Sequence, residues 1–324
     1  MPSRIDTLTS TVKIVSVPKT DSKEGLPGVT IVLDNKTGEP RGLVNARLLT
    51  AVRTAAGSAL ATRVIFSNKE QEHKKTKELS LVVFGSGAQA KAHIQLLTHI
   101  LPDQISRIVI CNRTLPRAHD LVQELAPECS AKSIDISAFS ITTGKSSTSS
   151  SSPGTGTGGS PQDKLREIVQ TAHIICTCTN TTSPLFPGEW VQPGTHLNMV
   201  GSYTPQMHEV DQNLIARAWT LVDAKKECEH EAGEFILAKK QTGENGVLAE
   251  LGEIFAEDGR VLKDSLPKEF VEVVQDQARG NINEKKKKDV TIFKSVGIAA
   301  QDVAITALVL DKAEAMGLGS VVDI

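Results

Sequence analysis

Three features of this 324-residue sequence predict an α/β fold: a Rossmann-type doubly wound parallel sheet with a smaller α+β lobe beside it. From Leu79 onward, apolar runs alternate with helix-forming segments: LSLVVF then AKAHIQLLTHI, RIVICN then PRAHDLVQELA, DKLREIVQTA then HIICTCT, with THLNMVG and TLVDA after them. Strands apolar on both faces and separated by helices belong to a parallel sheet covered on both sides. The first of these strands ends in a glycine pair, and a helix opens directly behind it. The residues before Leu79 keep a different rhythm, with short β-branched stretches VKIVSV, VTIVLD and RGLVNA and the turn DNKTGEP between the last two. Such stretches read as strands of a separate sheet.

The remaining elements follow in order. LLTAVRTAAGSALATRVI is small and apolar at helical spacing, with Asn45 placed to cap it. KEQEHKKTKE reads as a solvated joint between the two lobes. Residues 142–161, TTGKSSTSSSSPGTGTGGSP, cannot bury enough surface to order themselves. Because the strand–helix alternation resumes after them, they are expected to form a disordered insertion inside the parallel-sheet lobe and not a boundary. The lysines at 285–288 read as a solvated loop. The last helix, VGIAAQDVAITALVLDKAEAMG, is amphipathic, with Gly317 as its stop.

Composition narrows the function classes. A net charge of −2 supplies no basic field, so nucleic acid is not expected as a partner. The opening MPSRIDTLTS lacks the apolar core of a secretory signal, and no apolar run is long enough to span a bilayer. Five cysteines, an odd number without metal-type pairing, fit reduced thiols in a cytoplasmic protein. Cys176 and Cys178, two residues apart, are expected on one face of a strand. His196, His208 and His230 stand near acids without the spacing of a metal site, so no metal is expected.

The glycine pair carries the chemistry. Gly85, Ser86, Gly87, Ala88, Gln89 and Ala90 fit the G-x-G-x-x-G/A fingerprint of a dinucleotide site, with strand before and helix after as the fingerprint requires. Gly85 permits the tight turn, Gly87 lets the backbone approach a pyrophosphate, and the helix N-terminus offers free N–H groups to the phosphates. The next strand ends not in the acid that grips the 2′-hydroxyl of NAD but in Asn112, Arg113 and Thr114, with Arg117 close behind. A guanidinium among amide and hydroxyl groups suits a 2′-phosphate, so NADP(H) is the preferred coenzyme and NAD(H) the alternative.

LLTAVRTAAGSALAT, FGSGAQA, CNRT, GEWVQPGTHLNMVGS, HEVD, VDAKKECEHEAGEF, AELGEIF and TIFKSVGIAAQDVA, in that order, resemble the ornithine cyclodeaminase/mu-crystallin family. The resemblance implies a substrate and dimerisation lobe of residues 1–64 plus 296–324, a Rossmann lobe of residues 65–295, and a homodimer. It implies hydride transfer at the α-carbon of an amino or imino acid, with Lys13 and Arg53 receiving the substrate carboxylate. Arg53 on its own would pass for a surface charge half the time. Where cyclodeaminases of the family carry an aspartate for the substrate amine, this sequence has Tyr203. A phenol of ordinary pKa near 10 is a poor base, which turns the expectation towards reduction of cyclic ketimines by NADPH. Glu231 matches an acid near the ligand, and Thr179, Val200 and Ser295 match positions lining the nicotinamide. The opening MPSRI resembles an internal Met-Pro segment of the family, so the first lobe is expected to be shortened at its N-terminus and to lack a further carboxylate-binding arginine. Ornithine cyclodeamination and ligand binding without turnover are the competing expectations.

Overall fold

Two sheets, one antiparallel and one parallel, organise the molecule, and the change of rhythm at Leu79 marks the passage between them. The computed structural model describes residues 1–16, 27–66, 78–141, 160–243, 246–256, 260–262, 266–268, 270–272 and 288–322. The serine-rich stretch as far as residue 159, most of the charged joint and lysines 285–287 lie outside the described residues.

The antiparallel sheet runs in chain order: β1 (Pro2–Arg4), β2 (Ser10–Val15), β3 (Gly28–Leu33) and β4 (Pro40–Asn45). The last three are the expected strands. β1 was not expected, because three residues show no alternation; pairing alone defines it, with Ser3 opposite Thr11. The turn between β3 and β4 closes on Asp34, whose Oδ1 accepts the N–H groups of Lys36 and Thr37. Helix α1 (Ala46–Phe66) starts directly after Asn45, whose Oδ1 accepts the N–H of Arg47 at 2.9 Å, the expected cap.

The parallel sheet has eight strands in the order β11-β10-β12-β9-β8-β5-β6-β7. These are β5 (Leu79–Phe84), β6 (Ile105–Asn112), β7 (Asp135–Ser140), β8 (Ile174–Thr177), β9 (His196–Met199), β10 (Ala218–Val222), β11 (Val247–Glu250) and β12 (Val290–Lys294). Side chains alternate across the sheet. Leu81, Val83, Ile108 and Ile110 face one core with α2 (Ala88–Ile100) and α3 (Leu115–Ala131). Val82, Phe84, Val109 and Cys111 face the other with α4 (Pro161–Gln170), α5 (Gln212–Ala216) and α7 (Gly233–Thr242). Helix α6 (Lys225–Glu231) adds the buried Cys228 to that second core. The expected end of α3 before Pro127 is corrected: the helix runs through Pro127 to Ala131, anchored on either side by the buried Leu125 and Cys129.

From β5 the chain moves outward to β6 and β7, then returns to place β8 on the other side of β5. The C-terminal ends of β5 and β8 therefore flank a topological switch point, the place where open α/β sheets bind ligands. Two helices tie this crevice to the antiparallel sheet. Ala51 and Ala55 of α1 pack on Ala92 of α2, while Ala61, Val64, Ile65 and Phe66 of α1 lie in the parallel-sheet core. The final helix, α8 (Ala299–Ala315), sets Leu310 against Gly42 of the antiparallel sheet, and Gly317 with φ +63° follows its end. All five cysteines are unpaired, and burial pushes the Cys111 and Cys176 thiols up to about 12. Cys176 lies in β8, but Cys178 falls just beyond its end. Among the described residues no helix is long and apolar enough to cross a membrane.

Candidate active site

The glycine turn sits at the switch point. Gly85 has φ +111°, and a Cβ there would lie 2.6 Å from the Cys178 carbonyl oxygen, so conformation and crowding both demand glycine. Gly87 differs. Its backbone is extended, and a Cβ would meet nothing within 4 Å. Open space therefore lies over the start of α2, whose N-cap makes no side-chain hydrogen bond, so the first N–H groups of the helix are available to an anion. Ala90 is fully buried, which allows the close helix–strand packing the fingerprint needs. The fit to a dinucleotide pyrophosphate is good. Ser86 and Ala88 are half-buried at the rim, and Gln89 reaches α1 by donating to the Thr50 carbonyl at 3.5 Å.

The end of β6 presents Asn112, half-buried, with Nδ2 donating to the Thr114 carbonyl at 2.9 Å, followed by exposed Arg113, Thr114 and Arg117. An apolar cavity of about 430 Å³ opens nearby, walled by Phe139, Ile141, Leu165, Leu185, Phe186 and Trp190. Ile141 donates its N–H to the Asn112 carbonyl, so this cavity adjoins the end of β6 and not the cations described below.

Thr179, Val200 and Ser295 follow the ends of β8, β9 and β12, three consecutive neighbours in the sheet, so the fold brings them to one edge. Buried carboxylates hold them there. Glu209 accepts from Thr177 Oγ1, from both the N–H and Oγ1 of Thr179, and from the Gly201 N–H. Glu234 accepts from Ser202 Oγ and from the Glu209 N–H, and lies 4.0 Å from Lys294 Nζ, which donates to the Ser202 carbonyl. Burial, the largest influence, pushes the Glu209 carboxyl above its ordinary range, against the pull of Lys294. Asp223 accepts from Ser295 Oγ and the Gly297 N–H, both at 2.7 Å.

Gly297 leads to the cations. With φ +91° it leaves room for Arg53, whose Nη1 would lie 2.5 Å from any Cβ. Two positions thus separate the Ser295 hydroxyl from the glycine that packs on a guanidinium. Arg53, on α1, is only 8% exposed, so it is no surface charge; its Nη1 donates to Gln301 Oε1. Lys13, on the inward face of β2, is 3% exposed and donates to Asp302 Oδ1 at 2.9 Å. Arg53 Nε stands 3.3 Å from the same oxygen, in ion-pair range but not aligned as a hydrogen bond. Burial first, then Arg53, lowers the Lys13 pKa, and Asp302 opposes both.

Tyr203 and Glu231 are placed less tightly. Tyr203 is 40% exposed on the loop after β9. Glu231 is exposed at the end of α6, its carboxyl pushed up by burial and then by Glu227 and Asp223. Sequence reasoning missed Asp302, Asp223, Glu209, Glu234 and Lys294. The signal for Asp302 was its place in QDVA, one acid on the otherwise apolar front of a helix.

Comparison with known proteins bears on family and fold. The model of the ornithine cyclodeaminase/mu-crystallin family matches residues 1–143 and 160–317. A Delta(1)-pyrroline-2-carboxylate reductase of Bacillus cereus is 28% identical over 318 residues, 96% of this chain and 80% of that protein. The ketimine reductase mu-crystallin of Mus musculus is 26% identical over 304 residues, 93% of this chain and 75% of that one. Among solved structures, the Delta(1)-pyrroline-2-carboxylate reductase of Thermococcus litoralis, in complex with NADH and L-proline, shares the fold with a TM-score of 0.70 at 22% identity, covering 97% of this chain and 81% of that one.

Proposed function

The chain belongs to the ornithine cyclodeaminase/mu-crystallin family, and from that premise we propose that it is an NADPH-dependent reductase of cyclic α-imino acids. The observation that carries this is the short bridge from Ser295 to Gly297, which links the crevice under the glycine turn to the buried Arg53–Lys13 pair. The coenzyme, when bound, supplies hydride to an electrophilic carbon. The chain does the rest. Arg53 and Lys13 bind the substrate carboxylate in a site screened from water, which fixes the adjoining α-carbon near the ends of β8, β9 and β12. Glu209 and Asp223 fix Thr179 and Ser295 as the wall against which the nicotinamide would lie. Tyr203, a phenol where a cyclodeaminase would carry a carboxylate, supports reduction over cyclodeamination; it and Glu231, both exposed, would lie on the open side of the substrate pocket.

Three further parts of the reading travel with this one. Arg113 and Arg117 favour the 2′-phosphate. The lobe of residues 1–64 plus 296–324 is the substrate half. The outward face of its sheet, where Val12, Ile31 and Leu43 stand in one row beside Ile14 and Val29, is apolar, and Leu43 is 72% exposed; a second copy covering it gives a homodimer.

The test is NADPH and NADH oxidation by the purified protein with Δ1-pyrroline- and Δ1-piperideine-2-carboxylate, and with ornithine plus NAD as the contrast. Turnover of a cyclic imine with NADPH supports the proposal; ammonia release from ornithine, or coenzyme binding with no imine consumed, overturns it. Arg113→Asp is expected to reduce the NADPH-over-NADH preference about tenfold or more, the scale of one charge-assisted contact.

A further inference from the structure

Asp302 is a carboxylate standing among the cations that are to receive a carboxylate. Its Oδ1 is shared by Lys13 Nζ and Arg53 Nε, while Oδ2 is buried and accepts no hydrogen bond from the described residues. It is not alone. Thr11 Oγ1, two residues before Lys13 on the same face of β2, and Thr306 Oγ1, one turn beyond Asp302 on α8, are also buried without partners. A buried polar atom left unpaired costs about 1–3 kcal/mol, and folded proteins keep few of them. Three of them stand on β2 and α8, the elements that carry Lys13 and Asp302, so the ion cluster holds hydrogen-bonding groups that the chain itself does not complete.

Charge and geometry define a ligand for them. Lys13 and Arg53 offer cations to a carboxylate, and Asp302 offers an anion to a cation, the two charges a protonated imino acid carries. In an α-imino acid the nitrogen sits on the carbon that bears the carboxylate, so an acceptor for its N–H must stand beside the cations. Asp302, already touching both, meets that requirement. Resting on the reading of the site as an imino-acid pocket, we infer that Asp302 is a specificity-determining residue: its free oxygen accepts the N–H of the protonated ring nitrogen, so the site selects an imino acid over the oxygen analogue of the same shape. A protonated imine is also the better hydride acceptor, so the same contact favours the reactive form of the substrate.

The test compares pyrrole-2-carboxylate with furan-2-carboxylate, which differ in a ring N–H against a ring oxygen, by calorimetry on the full chain with NADP+ present. The wild-type protein is expected to bind the pyrrole about tenfold or more tighter, the scale of a hydrogen bond to a charged group. In Asp302→Asn, whose amide can turn its N–H toward the furan oxygen, the preference is expected to fall to near unity. Equal binding of the two by the wild-type protein overturns the inference whatever the variant does, and points to water as the partner of Oδ2. So does an unchanged preference in a folded Asp302→Asn protein. If the cyclic imine is still reduced in either case, the function proposed above stands; if neither ring acid binds and no imine is reduced, both fall together.

Discussion

Two clusters of buried charge lie close to the crevice, and they are built on opposite plans. Around β8 and β9, Glu209, Glu234 and Lys294 are all fully buried, and every carboxylate oxygen accepts at least one hydrogen bond. Around β2 and α8, Lys13, Arg53 and Asp302 are nearly as buried but leave Asp302 Oδ2 and Arg53 Nε without hydrogen bonds. The first cluster has satisfied its polar groups internally and serves to hold two loops in place. The second is short of partners, which the substrate of the proposed reaction would supply. Between these two clusters the difference is satisfaction and not burial.

Substitution tests that contrast, beginning with the scaffold. Glu209→Ala strands two threonine hydroxyls and two backbone N–H groups, and is expected to lower stability by about 3–5 kcal/mol, the usual cost of breaking a buried charged network. Chemical denaturation would measure it; a loss below about 1 kcal/mol would erase the distinction between the clusters. Arg53→Met, by contrast, is expected to raise KM for the imino acid about 100-fold or more with NADPH affinity unchanged, because only the carboxylate clamp is lost. Steady-state kinetics beside coenzyme titration would separate the two effects.

The glycines sharpen the same point. Gly87→Ala is expected to leave the melting temperature within a degree or so while weakening NADPH binding about tenfold or more, since a Cβ there meets no protein atom but fills the space a pyrophosphate would use. Gly85→Ala is expected to destabilise the fold by about 1–3 kcal/mol, through positive φ and collision with Cys178. Thermal shift with and without NADPH reads both.

The smallest effect is in pH. Lys13, faced by Arg53 from α1 and Asp302 from α8, has its pKa lowered from 10.5. Binding of pyrrole-2-carboxylate is therefore expected to weaken as pH rises through that lowered value, and the alkaline loss should vanish in Lys13→Met. Folding responds with the opposite sign. Between the lowered value and 10.5 the unfolded chain holds the extra proton, so the penalty of burying this lysine is relieved as pH rises.

Much of this was legible in the sequence because it is local. The near-continuous apolar run of β5 and the glycine at 85 each state their role within a few positions. The resemblance then pointed to Lys13 and Arg53. Asp302 was not legible, because its meaning depends on residues 289 positions away in the chain. Strand β12 was passed over for a related reason: VTIFK enters the sheet between β9 and β10, out of chain order, and no periodicity reports that.

The sequence by itself determined the alternation of strand and helix, the glycine turn between β5 and α2, and the basic loop after β6, since steric and periodic constraints act between near neighbours. Only the tertiary structure decided that Arg53 is buried, that Asp302 shares its cluster with Lys13, and that Glu209 locks the loops of β8 and β9. Those facts follow from desolvation and charge pairing across distant segments, and such forces have no address in the chain until it folds.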